Sequence, residues 1–295
     1  MATVATPRAT VGWLARRSTA QRFQRGLAYT VLSTGGVAMM LPFLWLISSS
    51  LKEPAQIFVF PPEWIPNPIA WQNYPDLLTK LPFFLYARNT LIITLSAMLG
   101  QVLSASMCAY AFARLRWPGR DLIFAIKLAT MMLPFAVTMI PVFVIFKTLG
   151  WLNTFLPLII PYWLGGSAFY IFMLRQFFLT IPFELDEAAR VDGAGSWRIY
   201  GQIILPLAKP ALTVVTILSF FQHWNDFLGP LIYLSSADKR TLALGLNALQ
   251  GLEWGRDTTH LVMAFSVLMI TPIIIMFFAA QRVFVQGIVL TGIKG

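Results

Sequence analysis

The chain has 295 residues, of which 57% are hydrophobic and 12% charged, and its mean hydropathy is +0.69. A water-facing domain carries about 25% charged residues, so composition excludes an ordinary soluble protein, and apolar stretches of about 20 residues fit a helical, polytopic membrane protein. The net charge of +10 comes from basic residues scattered along the chain, which fits membrane topology rather than nucleic-acid binding.

Six spans are predicted, at roughly 27–49, 90–111, 122–146, 155–178, 207–234 and 260–281, giving an all-α transmembrane bundle. Residues 1–26 hold Arg8, Arg16, Arg17, Arg22 and Arg25 and read as a basic, partly disordered tail. The first span reads as an uncleaved signal-anchor, because its apolar run is too long for a signal peptide. The loop after it is rich in Pro and Trp (Pro61, Pro62, Trp64, Pro66, Pro68, Trp71) and suits a cap lying at the interface. Span 3 carries Pro134 and Pro141 among Met131, Met132 and Met139, which fits either a kinked gate that repacks or ordinary packing. Lys127 in the same span is expected to snorkel, Gly165–Gly166 in span 4 to permit close helix approach, and Cys108 to be a packing residue. A polar outside loop is expected over 235–259. The membrane domain is expected over 27–284 and a short tail over 285–295.

Orientation follows from the Lys/Arg balance. One side holds the five N-terminal arginines with Arg114, Arg116, Arg120, Arg175, Arg190, Arg198, Lys209, Arg282 and Lys294. The other holds Lys52, Lys80, Arg88, Lys147, Lys239, Arg240 and Arg256. Fourteen against seven places both termini in the cytoplasm, and an even number of spans agrees.

The cytoplasmic segment 180–210 reads TIPFELDEAARVDGAGSWRIYGQIILPLAKP. Thr180 can cap a helix that opens with Pro182, Glu184, Asp186 and Glu187, since proline and acids both favour a helix start. Gly193 can end it, and Ser196 can cap a second helix running to Leu205, where Pro206 interrupts the chain. The small residues Ala188 and Ala189 would let another protein approach the backbone. The same pattern also fits an amphipathic helix lying on the inner leaflet.

In this segment Glu187, Ala188, Ala189, Gly193, Ile203, Leu205 and Pro206 resemble the EAA signature of ABC importer permeases, with every spacing matched over 20 residues. Asp192 before the glycine is usual in the sugar-importer branch. The similarity extends over about residues 40–295 to the six-span maltose-type carbohydrate permeases, with FQHWNDFLGPL at Phe221–Leu231 and VQGIVLTGIKG at Val285–Gly295. The resemblance implies the MetI-like, maltose-permease-like fold and a multi-pass place in a prokaryotic inner membrane. It implies a helix that docks on a separate ATPase subunit and couples ATP-driven closure to alternating access. The partners implied are a second permease in a heterodimer, two ATPases, an extracytoplasmic sugar-binding protein and membrane lipid. A permease for a glycerol phosphate ester or a polyol shares these motifs and remains an alternative.

No G-x-x-x-x-G-K-[ST] motif occurs, so the chain itself lacks a P-loop and is read as a transport subunit, not an enzyme. No cofactor or metal is expected: there is one cysteine, and His223 and His260 lack paired ligands. Asp226 is the one acid placed within a span, and with Gln222, His223, Trp224 and Asn225 it forms a polar cluster flanked by rings. Such a cluster fits a sugar path, whose solute needs hydrogen-bond partners and stacking faces. It fits equally a structural cluster near the outer interface. An ion-coupled secondary transporter would call for more intramembrane acids, and a membrane enzyme for a nucleophile, base or metal cluster.

Overall fold

The computed structural model describes residues 11–250 and 258–292, with side chains over 24–250 and 258–281. Every regular element among them is helical. Four helices are long and apolar enough to cross a membrane, or six if each of two bent pairs counts as one span.

α1 (Val11–Ser50) is exposed all round through its apolar window, as a lipid-facing helix should be. Its backbone starts at Val11, so the segment expected to be a disordered tail is helical from there, and residues 1–10 lie outside the described part. α2 (Asn73–Lys80) is pinned under its end, because Asn73 Nδ2 donates to the carbonyls of Ser50 and Lys52 at 2.9 Å each. The Pro/Trp cap between them packs Trp64 edge-on to Trp45 at 5.2 Å.

α3 (Phe83–Arg114) is the axis of the molecule and packs against α6 (Leu156–Trp163), α7 (Ala168–Thr180) and α11 (Lys209–Trp224). Its 32 residues span about 48 Å, more than the hydrocarbon thickness, so it projects beyond the membrane. Its cytoplasmic half joins α7 and α11 in one core around Leu174, Phe178, Ile199 and Val215. Its outer half joins α2, α13 (Leu242–Gln250) and α14 (Thr259–Gly292) around Leu77, Leu249, Leu261 and Phe265. α13 occupies part of the outside loop predicted over 235–259, of which residues 251–257 lie outside the described part. α14 likewise runs to Gly292, through most of the expected C-terminal tail.

Three predicted spans are not continuous helices. Span 3 is α4 (Arg120–Ala129), a short 3-10 turn Thr130–Met132 and α5 (Phe135–Thr148), meeting at 104°. The break falls at Leu133–Pro134, because proline lacks the N–H a helix needs and forces the residue before it to be extended. Pro141, by contrast, sits inside α5 without ending it. Span 4 is split between α6 and α7 at Leu164–Ser167, where Gly165 and Gly166 take positive φ of 86° and 26°. Span 5 ends at Trp224; Asn225–Phe227 leave the helix before α12 (Leu228–Tyr233).

The α6–α7 break is closed by side chains of α3 and α4. Gln101 Oε1 accepts the Ser167 N–H at 3.2 Å, Ser104 Oγ donates to the Tyr162 carbonyl at 2.7 Å, and Trp163 Nε1 donates to the Ser96 carbonyl at 3.1 Å. Lys127 does not snorkel: its Nζ donates to the Gly166 carbonyl at 3.0 Å. The break therefore sits tightly on α3. A Cβ at Gly100 would collide with the Trp163 indole, and one at Gly166 with the Gln101 amide.

Gly100→Val should consequently overpack the α3–α6 contact and cost about 1–3 kcal/mol. A lower melting temperature in detergent, read by fluorescence-detected size exclusion, is the expected outcome; an unchanged one would mean that the indole does not lie on Gly100.

Candidate functional site

Two candidate sites emerge, one around α8, on the side read from the sequence as cytoplasmic, and one at the Trp224 end of α11. The cytoplasmic site is α8 (Glu184–Val191) with the turn after it. Glu184, Asp186 and Glu187 occupy its first turn, where the helix dipole favours acids. Thr180 is not its cap, since its Oγ1 donates back to the Phe177 carbonyl within α7. The end is a Schellman motif: Ala194 N–H donates to Ala189 O at 2.8 Å and Gly193 N–H to Arg190 O at 3.0 Å. Gly193 has φ +79°, a conformation that costs other residues about 1–2 kcal/mol.

The chain then enters α9 (Ser196–Ile199), a π-helical turn Tyr200–Ile204 and α10 (Leu205–Leu207). Ser196 is the first residue of α9 and makes no capping bond; Gly195 holds the cap position. Pro206 lies within α10, and the 80° bend onto α11 comes after it, at Ala208.

The signature residues divide by direction. Glu187, Ala188, Asp192 and Gly193 are exposed, whereas Ala189 is half-buried. Ile203 and Leu205 are half-buried and pack on the cytoplasmic core, and Pro206 is exposed. Four large apolar side chains over 183–197 are exposed beyond the signature: Phe183, Leu185, Val191 at 88% and Trp197 at 74%.

What holds α8 in place was not evident from the signature. Asp186 is turned inward and buried against Arg114, the last residue of α3, with Oδ1 3.8 Å from Nη1. The same guanidinium donates through Nη2 to the carbonyls of Phe178 and Ile181 at 2.7 and 2.6 Å and lies over the Phe183 ring at 4.4 Å. Arg114 thus binds the frayed end of α7 and the start of α8 to α3. Burial pushes the Asp186 carboxyl up, and the charges of Arg114 and Arg190 pull it back. An acid among the polar residues of 184–187 and an arginine closing a span were the only sequence signals for this pair.

The second site is a cavity of about 500 Å³ walled by α5, α6, α11 and α12. Three of the five residues expected along a path reach it: Gln222, His223 and Asp226. Trp224 turns away, stacking on Phe220 at 5.4 Å and donating to the Met269 carbonyl at 3.1 Å. Asn225 is exposed and bonds back to the Phe221 carbonyl. Asp226 lies in the break beyond α11, not within a helix, and its Oδ1 accepts the Gly229 N–H at 3.1 Å. Tyr162 and Tyr233 share the lining.

Residues 101–290 match the family described as the binding-protein-dependent transport system inner membrane component. The chain belongs to this family. The matched region takes in α8 with its turn and all the elements that wall the cavity. The permease is 32% identical over 268 residues to the diacetylchitobiose uptake system permease protein NgcG of Streptomyces coelicolor, covering 91% of this chain and 88% of that one. It is also 32% identical over 276 residues to the sn-glycerol-3-phosphate transport system permease protein UgpE of Yersinia pestis, covering 90% and 97%. Its fold superposes with a TM-score of 0.76 on a chain of a bacterial ABC transporter involved in the import of the acidic polysaccharide alginate, at 25% identity and over 94% of this chain and 99% of that one. These relatives are transport components, not enzymes.

The buried pair gives a direct test. Asp186→Ala removes one partner and leaves a buried cation, a change that costs about 3 kcal/mol. The permease should lose thermal stability and its α8 amides should exchange hydrogen faster, while α14 is unaffected. Equal exchange in both variants would show that Asp186 does not hold α8.

Proposed function

We propose that the permease is one membrane subunit of an ATP-driven, binding-protein-dependent importer for a sugar or oligosaccharide, and that α8 docks on a separate ATPase subunit. The observation that carries this reading is the exposed surface of Glu187, Ala188, Asp192 and Gly193 with Val191 and Trp197, on a helix ion-paired to Arg114 through Asp186. An amphipathic helix resting on lipid would turn apolar residues to one side and acids to the other. Here the exposed set mixes Glu187 and Asp192 with Val191 and Trp197, as a polar-rimmed protein contact does.

The minimum assembly is this chain, a second permease forming a heterodimer, two ATPase subunits and an extracytoplasmic binding protein, in a prokaryotic inner membrane. The Lys/Arg balance puts α8 and both termini on the cytoplasmic side. Closure of the ATPases pushes on α8, and α3 and α11 carry that movement to the cavity, which opens to alternate sides of the membrane. Gln222, His223 and Asp226 are the residues of this chain that a passing solute meets. The membrane domain of 27–284 and the segment 180–210 keep the division read from the sequence. The relative of equal identity that handles sn-glycerol 3-phosphate supports a second reading, an importer of a glycerol phosphate ester.

Gly193→Asp tests the docking. The left-handed conformation disfavours any side chain by about 1–2 kcal/mol, roughly tenfold in an equilibrium, and the added charge lies in the contact itself. Uptake by the assembled importer should fall at least tenfold and its ATPase should no longer respond to solute, with membrane insertion unchanged. Normal uptake would remove α8 as the docking element.

A further inference from the structure

The cavity carries a charge pattern that discriminates between the solutes handled by the relatives. Its polar lining consists of Tyr162, Gln222, His223, Asp226 and Tyr233, and it includes one carboxyl and neither Lys nor Arg. Asp226 is fixed in place, with Oδ1 bonded to the Gly229 N–H and Oδ2 packed where a Cβ on Gly229 would stand. That bond takes the Gly229 N–H in the first turn of α12, so a carboxyl already stands where an anion would approach it. Among the described residues, a phosphate or uronate entering the cavity meets a carboxyl and none of the cationic forks that recognise such groups elsewhere.

Uncharged hydroxyls find what they need. His223 is 5% exposed, stands edge-on to Tyr162 at 4.3 Å between ring centres, and its Nε2 has no partner in the protein. Gln222 Oε1 accepts from the Tyr170 hydroxyl at 3.0 Å, which leaves the amide Nε2 as the unused donor. A hydroxyl both donates and accepts, so a sugar can give to Asp226, take from Gln222 and satisfy His223. The tyrosine rings offer faces for its C–H surfaces, and about 500 Å³ is of the size that holds a small ligand.

We infer that this cavity selects an uncharged, hydroxyl-rich solute and rejects phosphate esters and uronates, with Asp226 as the residue that sets the selection. The inference rests on the reading of the chain as an importer permease, and it removes the glycerol phosphate alternative. A like charge at about 6 Å in a medium of effective dielectric near 20 weakens anion binding by on the order of a hundredfold.

The test is calorimetric titration of the whole purified importer in nanodiscs, without its binding protein, using neutral disaccharides (maltose, cellobiose and diacetylchitobiose) and sn-glycerol 3-phosphate. The same titrations are run on Asp226→Asn, which keeps an oxygen for the Gly229 N–H. At least one neutral sugar should bind the wild type at least tenfold more tightly than the phosphate ester, and the substitution should narrow that ratio by tenfold or more. Equal or tighter binding of the phosphate ester, no neutral sugar bound, or an unchanged ratio in Asp226→Asn would each overturn the inference. ATP-dependent uptake by the same complex with its binding protein is read separately. Preserved binding preference without uptake faults the importer reading and leaves the cavity's selectivity standing.

Discussion

A helix that breaks inside hydrocarbon frees backbone groups that lipid cannot satisfy, and this constraint decides most of what is packed where. The permease breaks its α6–α7 span at Leu164–Ser167, beside the cavity. Gln101, Ser104 and Lys127 come to the freed groups with side-chain bonds of 2.7–3.2 Å. That requirement brings α3 and α4 close to the break, and the closeness in turn demands glycine at 100 and 166. At the cytoplasmic end the same need is met by Arg114, whose guanidinium serves the last carbonyls of α7. At the outer end Asp226 serves the start of α12. Each candidate site is thus built around a helix terminus that a polar side chain meets.

The surface around α8 lies at the Arg114 end of α3, and the cavity lies at the Trp224 end of α11. α3 carries Arg114 at its cytoplasmic tip, Tyr110 one turn earlier donating to the Ser196 carbonyl, and Ser106 sharing a 2.7 Å hydrogen bond with the Tyr200 hydroxyl. The Tyr110 and Ser106 contacts tie the segment after Gly193 to α3 at Ser196 and Tyr200, while Arg114 ties the segment before it at Ile181 and Asp186.

Much of the organisation was legible in the sequence, and the parts that were not share a cause. Six apolar stretches located the spans, and the proline and glycine signals at Pro134 and Gly165–Gly166 located two of the breaks, because apolar runs and backbone-restricted residues act locally. The spacing from Glu187 to Pro206 pointed to α8 and its glycine turn for the same reason. Hydropathy alone hid the third break, since Leu228–Tyr233 is as apolar as the helix before Asn225 and reads as its continuation. It also made Lys127 look like a snorkelling cation, because its acceptor is a carbonyl 39 residues away, exposed only by the α6–α7 break. Arg114 and Asp186 were invisible as a pair, being 72 positions apart along the chain and ordinary singly. The five-residue polar run at 222–226 divided once helical direction was known. His223 and Trp224 are consecutive, so one faces the cavity and the other the core.

α11 is bracketed by a bend before it and a break after it. Sixteen residues make α11 about 24 Å long, and its helical bonds run unbroken from Lys209 to Trp224. It enters from an 80° bend at Ala208 and leaves at Asn225–Phe227, so both ends join segments that run in other directions. A rod held between two such joints converts tilt at one end into displacement at the other. Gln222 and His223 occupy its far end and Asp226 the joint itself. The polar residues Gln222, His223 and Asp226 that line the cavity thus stand where α11 ends, at a break that hydropathy alone did not show.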